Sequence, residues 1–284
     1  MANIYYYVHT GHRFGLNRFR KAVAIIEALS EYKITLLTSD YRIASGSRNF
    51  GIDGAVGIDV FRNIPNVAEY GDILIYDSTE ENEGELEGMI DFFSKFIRVT
   101  DDPEYKPKKG EYVISPYLEN SDLVLNANPV SKKFFGDFQK SIETTFFFGD
   151  DDYDKDILKY FQEKSRWQII LGFYFFLGYE DDLEKVFEKV WETEDYDEVI
   201  QKSKNVVTSS TQTALNVLAS GGNPIFFERD DRDSNSRKIL EKYGIPVLNS
   251  FSQEKIETFL KNKLEFERIL SDESKIVDFF KQIL

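Results

Sequence analysis

The 284-residue sequence has no cysteine and only two histidines, two methionines and two tryptophans. Without cysteine there is no disulfide, no thiol nucleophile and no thiolate-bound metal. With His9 and His12 as the whole histidine complement, a multi-histidine metal site is nearly excluded within one chain. Positive charge is also short, with 35 Lys and Arg against 50 Asp and Glu and a formal charge of −15. Such a balance repels phosphate backbones and anionic lipid, so nucleic acid is not an expected partner. A small nucleotide remains possible, because a helix N-terminus can bind phosphate inside an acidic protein. Long apolar runs are missing as well. The longest, at 169–177, has nine residues, against the roughly 20 of a membrane-spanning helix. Residues 1–8 lack the basic segment and apolar core of a signal peptide. The expected location is therefore cytoplasmic, with no integral membrane segment.

Against these absences, 42 % of residues are hydrophobic and 15 % aromatic, enough to fill sizeable cores. At roughly 150 residues per domain, the length predicts two domains. Residues 4–8 read as a strand, 9–15 as a loop and 17–29 as a helix, with Phe19, Ala22, Val23, Ile25, Ile26 and Leu29 at helical spacing. Strands at 33–38, 71–77 and 96–100, with a helix at 85–94, continue the alternation expected of a parallel sheet covered on both faces. A second alternation has strands at 144–148, 167–171, 188–192, 205–208 and 224–228. Its helices fall at about 155–163, at 213–219 and from 255 to the end, the last stretch packing on the first domain. The expectation is an α/β protein with two Rossmann-like parallel-sheet domains, 1–140 and 141–284, facing an interdomain cleft.

In such sheets ligands bind beyond the carboxyl ends of the strands. The loop after the first strand holds both histidines, with Gly11 and Gly15 letting backbone approach a ligand and His12 as the preferred base. Arg18 and Arg20 stand at a helix start, a poor place for cations unless an anion is bound there. Thr208, Ser209, Ser210, Thr211 and Thr213, with Gln212 among them, place five hydroxyls between a buried strand and a helix. That arrangement suits a diphosphate. Gly149 and Asp150 end a neighbouring strand, and Phe173 or Tyr174 after the next one is an aromatic able to stack on a nucleobase. The run holding Asp150, Asp151, Asp152, Asp154 and Asp156 lacks the spacing of a calcium loop and reads as a solvated helix start.

Several stretches together resemble the GT-B superfamily of nucleotide-sugar enzymes. They are similar in particular to the UDP-sugar hydrolase of the pseudaminic acid pathway and to spore-coat polysaccharide glycosyltransferases. They are Asp-Ile-Leu-Ile-Tyr-Asp at 72–77, Ile-Arg-Val-Thr-Asp-Asp at 97–102, Asp-Leu-Val-Leu-Asn-Ala-Asn at 122–128 and Phe-Phe-Phe-Gly-Asp-Asp-Asp at 146–152. The hydroxyl-rich segment from Thr208 to Asn216, Gly-Gly-Asn-Pro at 221–224, and Asn235 with Leu240 and Gly244 follow the family's uridine-diphosphate region in order. The likeness implies a GT-B-like fold. It also shows departures. With Arg20 matched to the family's arginine, Asn17 stands where the family has a water-activating histidine, and an amide takes no proton. Asn216 replaces a glutamate suited to the ribose diol, and Ser210 and Thr211 replace a Gly-Gly pair.

These readings lead to a glycosyltransferase of bacterial surface-polysaccharide or glycan assembly. It uses a nucleotide sugar, expected to be UDP-linked, and a glycan or lipid-linked acceptor. The leaving diphosphate is held at the Ser209–Thr213 turn with no metal or other cofactor, and His12, Asp77 or Asp101 acts as base. The alternatives are a hydrolase with water as acceptor and a binding protein that has lost catalysis.

Overall fold

Short apolar runs buried on both faces become the strands. The Ile-Tyr-Tyr-Tyr-Val run of β1 (Ile4–Val8) is buried along its whole length, as is the Ile-Leu-Ile-Tyr-Asp run of β4 (Ile73–Asp77). The structure, a computed structural model, describes residues 2–80, 83–232 and 234–284. It divides into two compact units. Unit 1 comprises Met1–Phe14, Arg18–Lys132 and Ser271–Leu284; unit 2 comprises Gly15–Asn17 and Lys133–Leu270.

Among the described residues, unit 1 is built on a seven-stranded parallel sheet in the order β3-β2-β1-β4-β5-β6-β7. The strands besides β1 and β4 are β2 (Ile34–Thr38), β3 (Ala55–Gly57), β5 (Lys95–Val99), β6 (Glu111–Ser115) and β7 (Val124–Asn126). Helices α1 (Asn17–Ala28), α2 (Tyr41–Gly46) and α3 (Glu83–Phe92) belong to the connections, and Asp40 caps α2 by accepting from Arg42 N and Ile43 N. The C-terminal helix Glu273–Ile283 belongs to this unit, with Phe279 edge-on to Tyr112 at 6.3 Å.

Unit 2 repeats the plan with a six-stranded parallel sheet in the order β10-β9-β8-β11-β12-β13. Its strands are β8 (Ile142–Phe147), β9 (Gln168–Ile170), β10 (Lys189–Trp191), β11 (Ser203–Thr208), β12 (Asn223–Phe227) and β13 (Val247–Leu248). Its helices are α4 (Asp156–Tyr160), α5 (Glu180–Leu183), α6 (Tyr196–Lys202), α7 (Thr211–Ala219), α8 (Arg237–Lys242) and α9 (Gln253–Lys261). Aromatic side chains fill one face of this sheet. Phe146 stacks on Phe227 at 5.9 Å and on Phe187 at 5.9 Å, with Phe161 edge-on at 5.1 Å.

Two expectations are corrected here. The chain is not helical from residue 255 to its end: α9 stops at Lys261, and the C-terminal helix starts at Glu273. Between them Glu267 N donates to Tyr243 O, and the backbone at Glu265 passes so close to Gly244 that a Cβ there would meet Glu265 O at 2.8 Å. These backbone contacts hold the segment away from a helix. The aspartate run is a solvated helix start only at Asp154 and Asp156, where α4 begins, since Asp150, Asp151 and Asp152 are all buried. Asp152 accepts from Asp156 N, Ile157 N and the Tyr179 hydroxyl, at 2.8, 3.1 and 2.5 Å. Asp151 pairs with Arg229 and Arg232.

Candidate functional site

In each sheet the connections leave in opposite directions from two adjacent strands, β1 and β4 in unit 1 and β8 and β11 in unit 2. Beyond the carboxyl ends of such a pair a crevice opens, the usual ligand position in doubly wound sheets. Most of the residues singled out in the sequence fall at these two places.

In unit 1, Asp77 is the last residue of β4 and is 2 % exposed. The Tyr6 hydroxyl of β1 donates to its Oδ2 at 3.2 Å, and Arg18 Nε lies 3.5 Å from its Oδ1. The anion opposite Arg18 at the start of α1 is thus a carboxylate of the chain itself. Lys21, three residues further along α1 and so on the same face, is 5 % exposed and forms an ion pair with both oxygens of Asp101. Desolvation raises Asp77 to about 6 despite the opposing charges of Lys21 and Arg18, with Asp101 adding to the rise. At Asp101 desolvation also acts upward, but Lys21 and Arg18 outweigh it and hold that carboxyl below its ordinary value. Tyr6, buried against Asp77, is pushed well up and stays a hydroxyl.

His12 is exposed on the loop after β1, between Gly11 and Gly15, with Arg13 at φ 68°. The more enclosed histidine is His9, whose ring packs on Phe14 at 4.3 Å and whose Nδ1 lies 4.0 Å from Glu80 Oε2. Burial lowers the His9 pKa, against an upward pull from Glu80. Glu80 also accepts from the Tyr7 hydroxyl and from Ser78 Oγ. Arg20 is half-buried on α1.

In unit 2, Gly149 and Asp150 follow β8, and Ser209 and Ser210 follow β11. Gly149 has φ 127°, a backbone conformation that residues with a side chain rarely adopt, and it lies in ordinary contact distance of Arg229 Nη1 and Ser209 Oγ. The buried carboxylate of Asp150 accepts from Leu16 N at 2.9 Å. Ser210 is the N-cap of α7, its Oγ accepting from Thr213 N at 3.2 Å. Ser209 Oγ donates to Phe148 O, and Thr211 Oγ1 donates to Ser236 Oγ at 2.5 Å. Asn235, next to Ser236, is exposed, and Phe173 is half-buried and edge-on to Tyr174.

A chain of hydrogen bonds runs beneath this turn. Asn216 Nδ2 lies 3.3 Å from the Tyr196 hydroxyl, which lies 2.8 Å from Thr213 Oγ1, which lies 2.7 Å from Ser210 Oγ. Ser210 Oγ lies 2.6 Å from Asn17 Oδ1. An amide nitrogen must donate at one end and an amide oxygen must accept at the other, so each hydroxyl donates toward Asn17. Gln212 N also reaches Asn17 Oδ1, at 3.3 Å, and Gln212 Nε2 donates to Asn216 Oδ1 at 3.4 Å. Asn17 therefore puts its oxygen on the start of α7, where the helix dipole favours negative charge. Asn216 is 2 % exposed, with both ends of its amide engaged inside the unit.

The sequence reading passed over Lys21, Tyr6, Tyr196 and Arg229. Lys21 offered a signal, being a lysine next to Ala22 and Val23 in the apolar stripe of α1. Arg229 offered none; its guanidinium lies over the Phe148 ring at 4.0 Å and pairs with Asp151 and Asp231. Among the described residues no group of three or more His, Asp or Glu side chains is placed to hold a metal ion. Likewise, no helix is long and apolar enough to cross a membrane.

No protein-family model matches the chain, and no curated protein matches it in sequence. Solved structures do. The UDP-GlcNAc 2-epimerase of Methanocaldococcus jannaschii, in complex with UDP-GlcNAc and UDP, is similar over 99 % of this chain and 99 % of its own, with a TM-score of 0.61 and 10 % identity. The calicheamicin glycosyltransferase CalG4 is similar over 100 % and 94 %, with a TM-score of 0.57 and 11 % identity. Anabaena HepE in complex with UDP-glucose is similar over 100 % and 92 %, with a TM-score of 0.52 and 7 % identity. At such identities the likeness concerns the fold, and that fold, two Rossmann-like parallel sheets in one chain, is GT-B.

Proposed function

We propose that the protein is a glycosyltransferase that uses a nucleotide sugar, with UDP as the nucleotide, in the assembly of a bacterial surface polysaccharide or related glycan. The observation that carries this reading is the turn from Ser209 to Thr213 at the β8/β11 crevice of a GT-B chain. The N-terminal amides of α7 suit a diphosphate that takes the place of the Asn17 oxygen, which frees Ser210 Oγ and Gln212 N to donate to it, and the helix dipole offsets the charge without a metal ion. UDP and UDP-sugars are the ligands named for two of the similar structures.

Asp77 is the base in this reading. As the acceptor oxygen bonds to the anomeric carbon, its proton passes to Asp77, the bond from that carbon to the phosphate oxygen breaks, and the diphosphate leaves with the electron pair. A carboxyl near 6 is ionised at neutral pH yet basic enough to accept a proton from a hydroxyl that is losing it. Asp101, tied to Lys21, is its counter-charge, and exposed His12 is not needed. The acceptor is a glycan or lipid-linked hydroxyl.

Calorimetric titration with UDP, GDP, CDP and dTDP tests the donor half, and UDP is expected to bind most tightly. Binding by none of the four overturns the reading. Incubation with UDP-sugars tests the chemistry. UDP release that depends on an added glycan acceptor supports transfer, whereas free sugar formed without acceptor shows water in that role.

A further inference from the structure

Lys21 is a buried charge that the diphosphate turn does not require. Four charged or titratable groups face Asp77: the Tyr6 hydroxyl from β1, Arg18 and Lys21 from α1, and Asp101 from the segment after β5. His9 contributes its backbone N–H to the Asp77 carbonyl at 3.0 Å, while its ring lies toward Glu80. The two carboxylates are not equivalent. Both oxygens of Asp101 are bound by the Lys21 ammonium, and its side chain is 44 % exposed. Asp77 is enclosed, with a neutral hydroxyl on one oxygen and Arg18 Nε no closer than 3.5 Å to the other.

We propose that Lys21 is a positioning residue that divides the work of two carboxylates: by binding both oxygens of Asp101 it keeps that group an anion, and it leaves Asp77 to take up the acceptor's proton. The role of Asp77 as base rests on the functional reading above; the order in which the two carboxylates protonate does not. The physical reason is proximity of like charge. Two carboxylates sharing a partly dehydrated site resist ionising together, and the proton then belongs to the pair. An ammonium fixed on one of them removes that ambiguity. The raised Asp77 and lowered Asp101 values agree with it.

The test is a carboxyl-carbon NMR titration of the full chain without substrate, in wild type, Lys21→Met, Lys21→Arg and Asp101→Asn, with Asp77→Asn for assignment. In wild type the step near 6 is expected to vanish in Asp77→Asn, with Asp101 titrating at lower pH. Lys21→Met should move the Asp77 step up, since the Lys21 charge holds it down. Lys21→Arg should restore it. Asp101→Asn should move it down, since a like charge is removed. The acid limb of kcat/KM in an acceptor assay should follow the same displacements. The proposal is overturned if the upper step belongs to Asp101, or if the Asp77 step moves in neither Lys21→Met nor Asp101→Asn. Should Lys21→Met fail to fold, the half-exposed Asp101 site still supports a test of opposite sign. Titrations that behave as stated in a protein that turns over no nucleotide sugar would remove the base role and leave the charge division standing.

Discussion

The two units share a plan and differ in chemistry. Each places its candidate residues at the carboxyl ends of the two strands where the sheet order reverses. Unit 1 fills that place with charge: Asp77, Asp101, Arg18 and Lys21, with a tyrosine hydroxyl between the strands. At the start of α7 unit 2 presents neutral oxygen and nitrogen, Ser210, Thr213, Tyr196, Asn216 and Asn17 linked in one direction, while its buried charges, Asp150 and the Asp151 paired with Arg229, stand after β8. A proton acceptor needs a group whose charge can change near neutral pH. A diphosphate seat needs fixed donors that do not change.

The same contrast runs into the cores. Beside the carboxylate site, unit 1 buries Arg98 against Glu111 at 3.1 Å, with the guanidinium over the Tyr76 ring at 4.7 Å. Glu111 in turn accepts from the Tyr105 hydroxyl at 2.6 Å and from Lys108 N at 2.9 Å, fixing the segment that leaves β5. Unit 2 also encloses an ion pair, Arg229 with Asp151, but only at the edge of an interior that is otherwise a stack of aromatic rings. A buried ion pair is costly to break from one side, whereas an aromatic core tolerates volume-conserving exchange.

The largest expected effect is at Asp77. Asp77→Asn should lower the rate of transfer by about 10²- to 10⁴-fold, the usual worth of a positioned base, with nucleotide-sugar affinity unchanged by calorimetry. In wild type kcat/KM should fall tenfold per unit below about 6, because protonation removes the base. Over the same range UDP-sugar affinity should stay flat, since nothing in the Ser210 chain titrates there. A matching fall in affinity would erase the distinction between the units.

Next in size is Arg98→Met, which leaves Glu111 buried without its counter-charge and should cost about 3–5 kcal/mol. Scanning calorimetry should show a lowered transition for unit 1, and replacing Glu111 by Leu in the same chain should recover part of the loss. If the double variant is no better than the single one, the ion pair is not what the sheet depends on. Ser210→Ala removes the α7 cap and the link to Asn17, and should cost about 1 kcal/mol in chemical denaturation while weakening UDP binding. The smallest and sharpest effect is Asn17→Asp. A carboxylate at the start of α7 should add about 0.3–1 kcal/mol of stability, yet weaken UDP-sugar binding through like-charge repulsion. A variant that moves both quantities in one direction would break the assignment of that helix start as the diphosphate seat.

Much of the architecture was legible because a strand buried on both faces is rich in apolar residues, which makes β1 and β4 visible as runs and marks β8 and β11 by their Phe-Phe and Val-Val pairs. Strand β3 was not visible, being Ala-Val-Gly with partial exposure, and β6 begins with a glutamate that Arg98, the Tyr105 hydroxyl and Lys108 N together make acceptable inside. The hydroxyl-rich turn after β11 could be read as a helix start. Its link through Thr213 and Tyr196 to Asn216 joins residues from two helices and could not.

By itself the sequence determined the alternation of strand and helix, the parallel sheets that follow from it, and the hydroxyl-rich start of α7. These are local patterns, set by side-chain period and by which groups suit a cap. Tertiary structure decided which polar residues are buried and against what. Asp150, Asp151 and Asp152 read as solvent-facing until Leu16 N, Arg229, Arg232 and the Tyr179 hydroxyl are placed beside them. Asp77 and Asp101 read as two equal carboxylates until Lys21 is found on one and Tyr6 on the other. Whether a charge can be buried depends on its neighbours in space, and those neighbours lie dozens of residues away along the chain.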